Sequence, residues 1–232
     1  IAEICKDALQ NWPETRILML THVKELIEQN AEKLLSHWPE APLGIYSAGI
    51  GSKDIEKITF AGVQSLWRNS EAVGWVDVVI VDEAHTISHK AEGMYRKLIF
   101  RLEDINPSLR VIGLTATPFR LGHGMITDQP AIFSDIITPI SLEKLVRLGY
   151  LAPLRSKGTQ KKLSAEGVKI RGDYVAKELQ KKLDVYLTSK AVVEEVIERA
   201  GDRRNWLFFC TGVAHAEHVA EILREKGVSA AC

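Results

Sequence analysis

Val76-Asp77-Val78-Val79-Ile80-Val81-Asp82-Glu83-Ala84-His85 decides how this chain is read. An apolar run of strand length ends here in two adjacent carboxylates and an imidazole, and a parallel α/β sheet delivers its chemistry from the carboxyl ends of its strands. A second such run, Val111-Ile112-Gly113-Leu114, ends in Thr115-Ala116-Thr117-Pro118-Phe119-Arg120. In a nucleoside triphosphatase the earlier carboxylate of such a pair holds Mg²⁺, through water, and the next orients and deprotonates the attacking water. Asp82 is therefore the expected metal-side residue and Glu83 the expected general base, both serving ATP and Mg²⁺. Thr115 and Thr117 offer hydroxyls from a turn closed by Pro118, suited to bonding a neighbouring strand end such as His85. A lone Asp-Glu after an apolar run is more often a solvated strand end. The joint pattern of strand, Asp-Glu-Ala-His, helix-length interval, second strand and Thr-Ala-Thr-Pro is what points to a nucleic-acid motor.

At these residues the chain resembles superfamily 2 helicases, with 82–85 as the DEAH box and 115–117 as the motif that couples hydrolysis to movement. Ile17-Leu18-Met19-Leu20-Thr21-His22-Val23-Lys24-Glu25-Leu26 is similar to motif Ia, and Ile58-Thr59-Phe60-Ala61-Gly62-Val63-Gln64-Ser65-Leu66 to a segment that contacts the strand. Within the superfamily, Leu20 to Leu26, Gly62 to Leu66 and Gly113 to Gly122 are most similar to the RadD type of bacterial and phage DNA-repair helicase. The resemblance implies that Asp82, Glu83 and His85 form the catalytic centre and that His85, Thr115 and Thr117 couple it. It further implies that Thr21, His22, Gln64 and Ser65 meet nucleic-acid phosphates, with Thr211 and Gly212 doing so from a second domain. Thr21 could equally cap the helix after it, and Ser65 could only cover a backbone group. His22 stands where relatives commonly have arginine.

Composition is that of an ordinary globular chain: 232 residues, 46% hydrophobic, 26% charged and formally neutral. Neutrality argues for a local nucleic-acid cleft rather than a basic face. Three widely spaced cysteines, Cys5, Cys210 and Cys232, make neither a disulfide framework nor a zinc finger. The expected setting is a reducing cytoplasm, bacterial or phage-encoded, without membrane segments. His85 and His89 are a poor zinc pair, lacking a glutamate-bearing motif. The tryptophans Trp12, Trp38, Trp67, Trp75 and Trp206 are expected mostly in packing roles.

The periodicity predicts a helix over 1–10, a strand over 16–20, a helix over 22–37 and a short strand over 43–46. A loop over 44–53, a strand over 58–61 and a helix over 63–69 follow. The Asp-Glu strand, a helix over 91–104 and the Thr-Ala-Thr strand complete an α/β, doubly wound, mostly parallel sheet flanked by helices, RecA-like in the sense of phosphate-loop nucleoside triphosphatases. A helix over 142–148 leads to Tyr150-Leu151-Ala152-Pro153, the expected crossing from domain 1 (1–150) to the start of a second RecA-like domain (151–232). There the pattern predicts a basic linker over 155–171, helices over 174–183 behind Asp173 and up to Ala200 behind Thr188 or Ser189, a buried strand over 205–210 and a helix over 214–226.

No Gly-x-x-x-x-Gly-Lys-Ser/Thr loop occurs, although a motor needs one to hold the β and γ phosphates. The first helix sits where the helix following that loop belongs, so the expectation is a chain beginning just after it and unable to hydrolyse ATP well alone. The complete protein is expected to be an ATP-dependent DNA helicase or translocase of repair type on single-stranded or branched DNA. The alternatives are an RNA helicase, or a duplex-translocating motor subunit of a restriction or remodelling complex.

Overall fold

The structure, a computed structural model, describes residues 1–87, 93–120, 124–128, 131–137, 140–156, 158 and 186–232. The chain divides into two compact units, Ile1–Pro139 and Ile140–Cys232. In the first, α1 (Ala2–Asn11), β1 (Ile17–Thr21), α2 (Lys24–His37), β2 (Leu43–Ser47), β3 (Ser52–Lys53), β4 (Ile58–Gly62), α3 (Val63–Leu66), β5 (Val78–Asp82), α4 (Met94–Ile105) and β6 (Arg110–Leu114) follow one another. They form a six-stranded sheet of order β3-β2-β4-β1-β5-β6. All neighbours pair in parallel except the edge strand β3, antiparallel to β2. A hairpin of β7 (Phe119–Arg120) and β8 (Gly124–Met125) forms a separate two-stranded sheet.

Parallel strands covered on both faces are apolar at nearly every position, and β1 and β4 are buried from end to end. Alternation then sorts the side chains. Ile17, Met19, Ile58, Phe60 and Ile80 pack with Cys5 and Leu9 of α1 and Ile27, Ala31 and Leu34 of α2. Leu18, Leu20, Ala61, Val79 and Val81 pack on the opposite face with Val63 and Leu66 of α3 and Leu98, Ile99 and Leu102 of α4. Burying each such side chain contributes roughly 1.5–3 kcal/mol. The doubly wound, mostly parallel sheet expected from the sequence is thus present.

Several local expectations are corrected. The helix begun at Val63 ends at Leu66, because the chain turns through Asn69 into a 3-10 turn over Ser70–Ala72. The 44–53 stretch holds most of β2 and all of β3 rather than a loop. Trp12 and Trp75 are 66% and 51% exposed, not packed. They precede β1 and β5, at the amino edge of the sheet, where the Trp75 indole donates to Asp77 Oδ1 at 2.8 Å.

The second unit contains α5 (Leu142–Arg147), α6 (Tyr186–Ala200) and α7 (Val213–Glu225). Tyr150 to Pro153 lies within it. Ser141 caps α5, its hydroxyl accepting from Lys144 N at 3.2 Å. Thr188 and Ser189 lie inside α6 rather than at its start. Among the described residues, 205–210 pair in no ladder: Trp206, Phe208 and Cys210 pack on Val193, Val219, Ile222 and Leu223, while Leu207 and Phe209 are 79% and 92% exposed. An alternating apolar stretch becomes a strand only where a neighbour completes its hydrogen bonds. The expected linker residues 159–171, the expected helix over 174–183 and His89 lie outside the described residues.

Two measurements check this packing. A Cβ on Gly113 of β6 would lie 2.6 Å from the Phe133 ring and 2.9 Å from Ala84 Cβ. Gly113→Ala is expected to cost about 1–3 kcal/mol in denaturant unfolding through overpacking; an unchanged midpoint would contradict the contact. Burial pushes the Cys5 thiol from about 9 up to about 11, against a smaller opposing effect of the chain's amino terminus. The contribution is complete below pH 9 and lost as pH rises through 11, roughly 3 kcal/mol in all. Cys5→Ala is expected to flatten the alkaline loss of stability by about that much, and an identical pH profile would contradict it.

Candidate functional site

The parallel register brings the carboxyl ends of four strands to one edge: Thr21 pairs with Gly62, and Asp82 with Leu114. Asp82 closes β5 half-buried, each carboxylate oxygen holding one hydrogen bond. Asn30 Nδ2 donates to Oδ2 at 2.9 Å, and Glu83 N donates to Oδ1 at 3.1 Å. An ionised carboxylate accepts at about four positions, which leaves room for metal-bound water. Among the described residues, no group of three or more His, Cys, Asp and Glu side chains could hold a metal ion. Mg²⁺ is commonly held by one or two carboxylates completed by phosphates and water, and Asp82 with Glu83 suits that mode.

Glu83 has φ 52° and ψ 50°, and among the described residues no other non-glycine has positive φ. This left-handed conformation costs on the order of 1–3 kcal/mol and persists only where its surroundings enforce it. Here the Glu83 carbonyl accepts from Thr86 N at 2.9 Å and from Thr86 Oγ1 at 2.8 Å, closing a 3-10 turn over Ala84–Thr86. Ala84 is wholly buried beneath it. The strand therefore ends abruptly, and Glu83 is turned out, its side chain 43% exposed.

His85 Nδ1 lies 2.9 Å from Thr115 Oγ1 and 3.3 Å from Glu83 Oε2. The Thr115 hydroxyl donates to the Thr117 carbonyl, so in this pair Nδ1 carries the proton and donates to Thr115 Oγ1, with Glu83 Oε2 within ion-pair reach. Thr115 then has a complete set of partners: its hydroxyl donates to the Thr117 carbonyl at 3.1 Å and accepts from Thr117 N at 3.1 Å and from His85. Thr115 takes part through its hydroxyl, Thr117 through its backbone. Tyr95 packs behind the strand end; burial pushes its phenol well above the ordinary range, against a pull from the Thr86 hydroxyl and with a push from the Asp82 charge.

Of the other residues selected from sequence, Thr21 is wholly buried, its hydroxyl 3.5 Å from Val23 N. His22 and Gln64 are exposed and joined, Gln64 Nε2 donating to the His22 carbonyl at 2.8 Å. Ser65 Oγ accepts from Ala48 N at 2.9 Å. In the second unit Thr211 N and Oγ1 lie 3.3 and 3.0 Å from His215 Nδ1, and the Ser189 hydroxyl lies 3.3 Å from His215 Nε2. Gly212 starts α7 in a fully extended conformation.

Asn30 escaped the sequence reading, yet it left a signal. Ile27, Ala31 and Leu34 mark the buried stripe of α2, and residue 30 falls on that stripe at helical spacing. A polar side chain there needs a partner, which is Asp82. His215 left no comparable signal, because its partners come from α6 and the turn before α7.

The model of the family described as type III restriction enzyme, res subunit, matches residues 1–120. The protein named "Putative mitochondrial ATP-dependent helicase irc3" of Schizosaccharomyces pombe is 27% identical over 227 residues, covering 92% of this chain and 35% of its own length. The chain thus spans about a third of that curated relative. A solved structure titled "Sulfolobus solfataricus SWI2/SNF2 ATPase core in complex with dsDNA" has a TM-score of 0.34 and 17% identity, covering 50% of this chain and 24% of that one; it adds nothing to the fold described above. Among the described residues no helix is long and apolar enough to cross a membrane. With residues 1–120 matched, more than half its length, the chain belongs to the type III restriction enzyme res subunit family and stands among the superfamily 2 helicase-type ATPases.

Proposed function

We propose that this protein is an ATP-dependent superfamily 2 motor that moves on DNA, with Asp82-Glu83-Ala84-His85 as its DEAH box and DNA repair as its role. The observation that carries the proposal is the His85 imidazole held between Glu83 and the saturated hydroxyl of Thr115. Mg²⁺ bound with ATP would supply charge neutralisation at the transferring phosphate. Asp82 would hold the water around that ion, and Glu83, turned out of the strand, would take the proton of the attacking water. His85 would pass the state of Glu83 to the Thr115 turn, and His22, Gln64 and Ser65 would meet the strand's phosphates without reading bases. Thr211 and Gly212 would do so from the second unit, and Thr21 would shape the end of β1 that presents His22.

A second reading is favoured by the family match, whose description concerns restriction enzymes. In it the same core travels on duplex DNA without separating strands.

In the intact protein, Glu83→Gln is expected to keep nucleotide binding and to lower hydrolysis by roughly 10²- to 10⁴-fold, the usual contribution of a positioned base. Hydrolysis at the parental rate would sink the assignment. Thr115→Val is expected to leave hydrolysis without nucleic acid within a few-fold of the parent. Its stimulation by single-stranded DNA should fall about 10-fold, a typical coupling between two sites; equal loss with and without DNA would contradict the coupling role. Matched DNA and RNA oligonucleotides, with strand separation and triplex displacement as readouts, distinguish the helicase, the duplex translocase and an RNA-directed enzyme.

A further inference from the structure

We infer that Asn30 is a positioning residue for the metal-side carboxylate, fixing Asp82 so that it meets the cation through water; this rests on Asp82 being that carboxylate. Three observations support it. Asn30 is half-buried at the edge of the stripe that Ile27, Ala31 and Leu34 form on α2, the face of the helix turned to the sheet. Its Nδ2 reaches Asp82 Oδ2 at 2.9 Å across 52 residues of sequence, and no other amide orientation suits an ionised carboxylate. The other oxygen, Oδ1, accepts from Glu83 N at 3.1 Å. With one hydrogen bond on each oxygen, the carboxylate plane cannot rotate freely without a bond being broken. The acceptor positions that remain are held in a fixed orientation, from which the carboxylate can accept from the water around an ion that sheds it reluctantly.

The platform for Asn30 is itself anchored. Ile27, Ala31 and Leu34 tie α2 to β1 and β4 through Met19, Phe60 and their neighbours. Asn30 therefore arrives with its backbone fixed. Asn30 acts on the metal only through Asp82. Hydrogen-bonding partners of metal-site carboxylates and imidazoles commonly change metal affinity by about 10- to 100-fold when removed.

The test is the factor by which Mg²⁺ tightens binding of a fluorescent ADP analogue, N-methylanthraniloyl-ADP, to the intact protein, a readout independent of hydrolysis. By linkage this factor reports the ion's contacts with protein in the nucleotide complex. Asn30→Leu, similar in size and without a donor, is expected to reduce the factor about 10-fold. Metal-free binding of the analogue should stay within about twofold of the parent, which a general loss of structure would not allow. Asn30→Ser, too short to reach Oδ2, is expected to behave the same way. A factor unchanged in both variants while Asp82→Asn abolishes it would overturn the role of Asn30 and leave Asp82 as the metal-side residue. A factor unchanged in Asp82→Asn would overturn the assignment of Asp82, and the role of Asn30 with it.

Discussion

Parallel pairing in a single register is the constraint on which the site depends. β5 is paired with β1 on one side and β6 on the other, so Asp82 stands beside Leu114, and Thr115 follows directly at the same edge. β1 is buried from end to end and β5 through its middle, and a slip by one residue would send every side chain of such a strand to the wrong layer. The apolar runs that make the core thus also fix where the polar residues at their ends emerge. Core and site share one cause.

Beyond that edge, geometry comes from two compensating features. Glu83 adopts a conformation that a glutamate resists, and the Thr86 clamp with buried Ala84 holds it there. Gly113, opposite Val81, leaves room for Ala84 and Phe133, so a glycine on the neighbouring strand makes space for the turn that carries Glu83 and His85. The Thr115 hydroxyl has no spare donor or acceptor once His85 is in place. A movement of His85 therefore removes one of the hydrogen bonds that fix the Thr115 hydroxyl, and that change is what could transmit the state of Glu83 to residues 115–117.

Much of this was legible in the sequence because strand burial and strand ends are local signals. β1, β5 and β6 announce themselves as continuous apolar runs closed by polar residues, and α2 and α4 by period. The illegible parts depend on partners far along the chain. Residues 205–210 carry the composition of a buried strand, but composition does not supply a neighbouring strand. Thr21 reads as an exposed hydroxyl at a strand end, and only the layers above and below reveal that it is buried. The bond between Asn30 and Asp82 spans 52 residues, so it showed in the sequence only as an unexplained polar residue on an apolar stripe.

The central claim is that His85 and Thr115 act as one unit between the nucleotide and the strand. A double-mutant cycle on DNA-stimulated hydrolysis by the intact protein, using His85→Ala, Thr115→Val and the pair together, measures this most directly. The account predicts strong non-additivity, the double variant being no slower than the worse single one, with a coupling energy of about 1 kcal/mol or more. Losses that simply add would show two independent residues and would contradict it.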